Sequence, residues 1–187
     1  MSYNSRGFSD HKINYCRYLM SFSAVGHNVP LLCIQEHFLL KGNLFKIDQA
    51  FPGCHVIPKP ALKETLDRGR ARNGMAIIMP ATFKNHVSDI SPNHWRIQAV
   101  IVTSNKSKML LINSYFPTDD QLALGNEIGE LIEVLEAIGN LISSTNFDSL
   151  LLLGDINADL LRNSNHCLQI KRFAHDLGLL FAWENMN

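Results

Sequence analysis

The segment Ser149-Leu150-Leu151-Leu152-Leu153-Gly154 is followed at once by Asp155-Ile156-Asn157. A continuous apolar run of this length, stopped by Gly and Asx residues, fits a β-strand covered on both faces rather than one with a wet side. Such a strand needs a layer packed above it and another below, so the pattern demands a layered fold. Side chains two residues apart on a strand point the same way, which puts Asp155 and Asn157 on one face at its end. An acid there can accept a proton or bind a cation, and a neighbouring amide can orient a group without adding charge. An Asx turn closing a core strand accounts for the same residues equally well.

Three further segments repeat the device. Val29-Pro30-Leu31-Leu32-Cys33-Ile34-Gln35-Glu36-His37 is a second buried run leading into an acid. Met109-Leu110-Leu111-Ile112-Asn113-Ser114-Tyr115-Phe116-Pro117 is a third, with Asn113 and Tyr115 on one face and Pro117 stopping the ladder. The chain opens on Ser2-Tyr3-Asn4-Ser5-Arg6-Gly7, a short extended piece with an amide before a turn. Polar groups repeated at strand ends read as the rim of an active site.

Between these segments the pattern predicts helices over 14–25, 45–50, 121–143 and 166–177. Strands are predicted over 31–35, 55–57, 75–79, 83–89, 96–103, 109–115 and 150–154, with another beginning at 179–183. Glu127, Glu130, Glu133 and Glu136 take the polar side of the third helix and read as its solvated face. Strands alternate with helices without repeats, which suggests a layered α/β domain. Residues 58–73 carry Lys59, Lys63, Arg68, Arg70 and Arg72 and read as a long exposed loop. Arg68, Arg70 and Arg72 could contact phosphates, or simply leave the loop solvated and charged. His37 follows Glu36 and faces the other way on a strand, which marks it as structural. His86, His94, His166 and His175 lack metal-ligand partners at regular spacing.

At 187 residues, 46% hydrophobic and 18% charged, the chain suits one globular domain. Its 17 basic and 17 acidic residues give zero net charge, so a polyanion would have to be held locally rather than by bulk charge. Cys16, Cys33, Cys54 and Cys167 form no CxxC pair, and a reducing compartment is expected. No signal peptide or membrane-spanning run is visible, which points to an intracellular protein, the nucleus included.

Taken in order and at these intervals, the Asn4, Gln35-Glu36, Asn113-Ser114-Tyr115 and Gly154-Asp155-Ile156-Asn157 blocks resemble the endonuclease/exonuclease/phosphatase superfamily. The likeness is nearest to the apurinic/apyrimidinic-type endonuclease domains of non-LTR retrotransposons and covers nearly the whole chain. It implies two packed mixed β-sheets flanked by helices in a four-layer sandwich, an α/β (α+β) arrangement forming a single domain over 1–187. It implies Mg²⁺-dependent hydrolysis of DNA phosphodiesters, with Mn²⁺ as an alternative ion. Glu36 would be the principal metal ligand, with Asn4 bridging through its amide oxygen or a bound water. Asp155 would orient or deprotonate the attacking water, and Asn157 and Tyr115 would hydrogen-bond the phosphate. Members of the superfamily end with a Ser-Asp-His block that does not occur here; His175-Asp176 has the reverse order, within a predicted helix. The expectation is therefore a domain truncated at its C-terminus, lacking its closing strands and impaired in activity, with a reverse-transcriptase region downstream in a longer polyprotein. The other readings are a small-molecule or lipid phosphoesterase on the same fold and a non-enzymatic remnant.

Overall fold

Residues 1–24, 30–62, 71–119 and 127–182 are described by the computed structural model. The first sheet contains β1 (Ser2–Asn4), β2 (Leu32–Gln35), β3 (Cys54–Lys59) and β4 (Met75–Pro80), in the order β1-β2-β4-β3. The second contains β5 (Val87–Asp89), β6 (Ile97–Thr103), β7 (Lys108–Tyr115) and β8 (Ser149–Asp155), in that order. Each sheet is mixed, because β1 runs parallel to β2 and β7 parallel to β8 while the remaining pairs are antiparallel. Helices α1 (Asp10–Ala24) and α2 (Phe45–Ala50) belong to the first half of the chain, α3 (Glu127–Ser144) and α4 (Asn165–Asp176) to the second.

The two-residue period of the strands sorts their side chains into three cores. Leu32 and Ile34 of β2 and Ala76 and Ile78 of β4 point outward, against Cys16 and Met20 of α1 and Ile47 and Ala50 of α2. The intervening Cys33, Ile57, Ile77 and Met79 point the other way and meet Val100 and Leu111 of the second sheet. On the far side, Ile97, Ala99, Leu110 and Ile112 pack on Leu131, Val134 and Ile138 of α3 and Ile170 of α4. Four layers result, helices outside and sheets inside. Central strands are apolar on both faces because both faces are covered.

Polar side chains interrupt the core between the sheets. Asn113 is fully buried on the inner face of β7 and spans the gap. Its Oδ1 accepts from Gln35 Nε2 at 2.6 Å, and its Nδ2 donates to Ile34 O at 3.2 Å and Gln98 Oε1 at 3.4 Å. Gln98 Nε2 donates in turn to Ile57 O at 2.7 Å, and Gln35 Nε2 also reaches Ser2 Oγ at 2.9 Å. Amides from both sheets thus satisfy one another, which buried polar groups require. Asn113 joins the sheets and is no part of an exposed rim.

Most predicted elements fall where expected, and four do not. Residues 83–86 form part of a 3-10 helix (Ala81–His86) rather than a strand, so β5 is limited to Val87–Asp89. Residues 179–182 contain no strand: α4 is closed by Gly178, two residues past its end, with φ +64, and Leu179 N–H bonds back to Ala174 O. Lys59 closes β3 instead of opening an exposed loop; its Nζ is turned inward onto Pro92 O, His94 O and Ile97 O at 3.1, 2.7 and 2.5 Å. β8 is not covered on both faces, because it lies at the end of its sheet order and Leu151 is 37% exposed. Among the described residues no helix is long and apolar enough to cross a membrane.

Replacing Asn113 by Ala leaves Gln98 Oε1 without its partner in the core, takes from Gln35 Nε2 its shortest hydrogen bond and opens a small cavity. The variant should lose about 2–4 kcal/mol of stability, read as a lowered urea midpoint. A midpoint within experimental error of wild type would show that the amide cluster does not hold the sheets.

Candidate active site

Parallel pairing brings four strand ends together. In the first sheet Asn4 is in register with Gln35, so Asn4 and Glu36 leave adjacent strands at the same end. In the second, Tyr115 is in register with Asp155. β1 packs against β8 across the gap, and Asn4 Nδ2 donates to Asp155 Oδ2 at 2.7 Å. A cleft of about 320 Å³ opens at this junction, lined by Asn4, Arg6, Glu36, Phe38, Tyr115, Thr118 and Asn157. Of the five residues singled out in the sequence, Asn4, Glu36, Tyr115 and Asn157 line it and Asp155 lies behind Asn4, all of them half-buried.

Local backbone conformation aims these side chains. Glu36 has φ +57 and Asn157 φ +47, left-handed conformations that cost non-glycine residues energy and cluster at functional sites. At Glu36 the chain turns while its carbonyl accepts Gly7 N–H at 2.6 Å. At Asn157 the turn is an Asx turn: Asp155 Oδ1 accepts Asn157 N–H at 3.0 Å, and Asn157 Nδ2 donates to Phe116 O at 2.8 Å. The turn and the functional placement of Asp155 and Asn157 are therefore the same feature. Gly154 precedes them at φ +150 with its backbone pressed on Ser114, where an added Cβ would meet Ser114 O at 1.8 Å. Only glycine lets β8 come this close to β7 at the height of the cleft.

Tyr115 is the hinge of the cleft's hydrogen bonding. Its hydroxyl donates to Glu36 and accepts from Asn157, and burial followed by the Glu36 carboxylate pushes it up to about 12. It remains a protonated donor at neutral pH. Asn4 Oδ1 accepts Arg6 N–H at 3.0 Å, and a carbonyl oxygen keeps a second lone pair beyond that bond. Glu36 and Asn4 together present hard oxygen donors. Among the described residues there is no group of three or more His, Cys, Asp or Glu side chains able to cage an ion. One carboxylate with an amide oxygen still fits a largely hydrated Mg²⁺ or Mn²⁺, ions that need few protein ligands.

His37 supports the turn from behind. It is buried, with Nε2 at 3.1 Å from Lys59 O and 3.2 Å from Met75 O, and Nδ1 accepting Leu39 N–H at 2.9 Å. Gly74, at φ +88, leaves room for its ring, which a Cβ there would meet at 2.4 Å. His37 is buried and bonded to backbone as expected of a structural residue, but through the turn after β2 rather than through strand alternation, since β2 ends at Gln35 and Glu36 is left-handed.

The same architecture occurs in an AP endonuclease from Leishmania major, with TM-score 0.66 and 12% identity over 93% of this chain and 65% of that one. A 3′ phosphatase from Neisseria, solved with a product DNA hairpin, matches with TM-score 0.67 and 16% identity over 94% of this chain and 69% of that one. The endonuclease domain of TRAS1, a telomere-specific non-LTR retrotransposon, matches with TM-score 0.59 and 17% identity, covering 95% of this chain and 70% of that domain. An endonuclease/exonuclease/phosphatase family protein from Leptotrichia buccalis shares the fold too. The fold is that of the endonuclease/exonuclease/phosphatase proteins. The chain spans 65% of the length of the Leishmania protein. No protein-family model and no curated protein sequence matches it.

On this endonuclease/exonuclease/phosphatase scaffold, several cleft residues escape sequence reasoning. Arg6 and Phe38 reach the cleft from turns in left-handed conformation, at φ +44 and +60, which no local motif announces. Arg96 lies opposite Tyr115, whose N–H bonds Arg96 O at 2.9 Å; the pairing of β6 with β7 could have found it. Of the basic loop residues, Arg68 and Arg70 lie outside the described residues, while Arg72 lines a second hollow beside Glu36.

His37 gives the site a pH signature. Burial outweighs its hydrogen bonds and pushes it down to about 4, against about 6.5 for the unfolded chain. The unfolded state therefore binds more protons between those values, so this stability is full above about pH 6.5 and declines as pH falls toward 4. At about 1.4 kcal/mol per pK unit the loss approaches 3 kcal/mol. Urea denaturation across that window should show the slope in wild type and a flatter one in His37→Gln; identical slopes would place the titration elsewhere.

Proposed function

We propose that this chain is a divalent-cation-dependent phosphoesterase that hydrolyses DNA phosphodiesters, of the AP-type endonuclease kind. The observation that supports the reading is the convergence of Glu36, Tyr115, Asn157 and the Asn4–Asp155 pair at one end of both sheets. Mg²⁺, or Mn²⁺ in its place, held by Glu36 and Asn4, would neutralise charge on the phosphate oxygens. Tyr115 and Asn157 would redirect the hydrogen bonds they now give to Glu36 and Phe116 toward those oxygens as charge grows on them, and Arg6 at the mouth would attract the anion. Asp155 accepts from Asn4 and from Asn157 N–H, which fixes its plane, and its remaining lone pairs take the proton of the attacking water.

The neighbours that act on nucleic acid support DNA as substrate: one is an AP endonuclease, and another is bound to a product DNA hairpin. With 17 charges of each sign, the chain has no bulk attraction for DNA and relies on local arginines. Among the described residues no histidine lines the cleft. Turnover resting on Asp155 and Tyr115 should be slower, by about 10²-fold or more, than in a site with an added general acid or base.

Nicking of supercoiled plasmid in Mg²⁺ tests the proposal. Wild type should nick slowly, EDTA should stop it, and Glu36→Ala and Asp155→Asn should each slow it by about 10²-fold. Equal nicking by all three proteins would end the assignment. Hydrolysis of phosphoinositides or nucleotides without DNA turnover would move the substrate to a small phosphate ester.

A further inference from the structure

The cleft does not stop at Tyr115. A second hollow of about 440 Å³ shares Glu36, Phe38 and Tyr115 with the first and adds Asn73, Trp95 and Arg96. Its wall is a relay of flat groups. The Arg96 guanidinium lies 3.9 Å from the centroid of the Trp95 ring and 5.3 Å from that of Tyr115. Glu130 Oε2 holds Arg96 Nη2 from behind at 2.8 Å, and Arg96 Nη1 reaches Tyr115 O at 3.4 Å. The guanidinium is thus clamped, and it steadies the indole it touches. Lys59 Nζ fixes the approach to Trp95 through the carbonyls of Pro92, His94 and Ile97. Trp95 nevertheless remains 36% exposed. A large aromatic held in place yet left open to solvent is a platform with its ordering entropy already spent.

Asn73 adds a second feature. It is only 4% exposed, adopts φ +64 and lines the same hollow, and its buried Nδ2 has no hydrogen-bond partner among the described residues. Buried amide donors are nearly always satisfied, so this orphan at the wall of the hollow is a donor that a ligand acceptor could complete if the amide turns toward it. A flat aromatic surface and an unmatched donor, adjoining a site suited to phosphate, describe the recognition of a nucleotide.

We propose that this hollow is a nucleobase subsite, in which a base next to the phosphate held at Glu36 stacks on Trp95 and accepts a hydrogen bond from Asn73. The proposal rests on the phosphoesterase reading of the cleft and narrows its substrate to a nucleic-acid strand with an unpaired or unstacked base at that position. An inositol ring offers no π-face and would gain nothing from Trp95.

Calorimetric titration of the full chain in EDTA separates the two claims, since binding is then read without turnover. The probes are a single-stranded trinucleotide, the same backbone with its bases removed, and an inositol phosphate. The trinucleotide should bind about tenfold tighter than the base-free strand of equal charge, the effect of one aromatic stack. Trp95→Leu should erase that ratio and Trp95→Phe should keep most of it. Asn73→Ala should lower it, and Glu36→Ala should leave it intact while weakening Mg²⁺-dependent nicking. Equal binding of the two strands, a ratio untouched by Trp95→Leu, or tighter binding of the inositol phosphate would overturn the subsite. No metal-dependent nicking by the wild-type chain, with the ratio preserved, would instead count against the phosphoesterase reading alone.

Discussion

The buried amide of Asn113 is the joint on which this structure turns. Two sheets packed through apolar side chains alone could slide by a residue with little change in buried area, because packing is non-directional. Hydrogen bonds are directional, and Asn113 makes them to Gln35 and Ile34 of one sheet and to Gln98 of its own. A slip would leave these groups unpaired in the core, at a cost larger than most packing differences. The register so fixed is the one that sets Asn4 against Asp155 and Glu36 against Tyr115. Gln35 and Glu36 are neighbours in the chain, one locking the sheets and the other facing the cleft.

Energy is spent close to the site and recovered around it. Arg6, Glu36, Phe38, Asn73 and Asn157 all adopt left-handed conformations within or beside the two hollows. Each is held by neighbours: Glu36 O by Gly7 N–H, Phe38 N–H by Asn73 O, and Asn157 by Asp155. Two glycines make the geometry feasible, Gly154 where β8 presses on β7 and Gly74 where the His37 ring needs space. Strain of this sort persists only where surrounding contacts over-determine it. Here those contacts are the strand pairings and the buried His37.

The layer order and the strand ends were legible in the sequence because both depend on short-range patterns. Apolar runs on both faces announced covered strands, and an acid or amide after each run announced a polar rim. That grammar offers Asp155, Asn157, Glu36, Tyr115 and Asn4 as candidates at strand ends, and the resemblance to the endonuclease/exonuclease/phosphatase superfamily is what singles them out as a site. What failed depended on position in the fold. β8 looks like β2 in sequence, yet it sits at the end of its sheet order and exposes Leu151. Lys59 looks like a loop cation and is a clamp on three carbonyls. Residues 179–182 are apolar enough for a strand and instead follow the cap of α4. Trp95 and Arg96 gain meaning only through the β6–β7 register that sets them beside Tyr115. Local pattern names the elements; neighbours decide their roles.

The central claim is that one cleft, formed where two parallel strand pairs end, binds a divalent cation through Glu36. Mn²⁺ reports its own location by broadening nearby NMR signals. Titrated into the protein, it should broaden Tyr115 and the side-chain amides of Asn4 and Asn157 first, and Glu36→Gln should abolish that pattern. Broadening centred elsewhere, or a pattern unchanged in Glu36→Gln, would contradict the account.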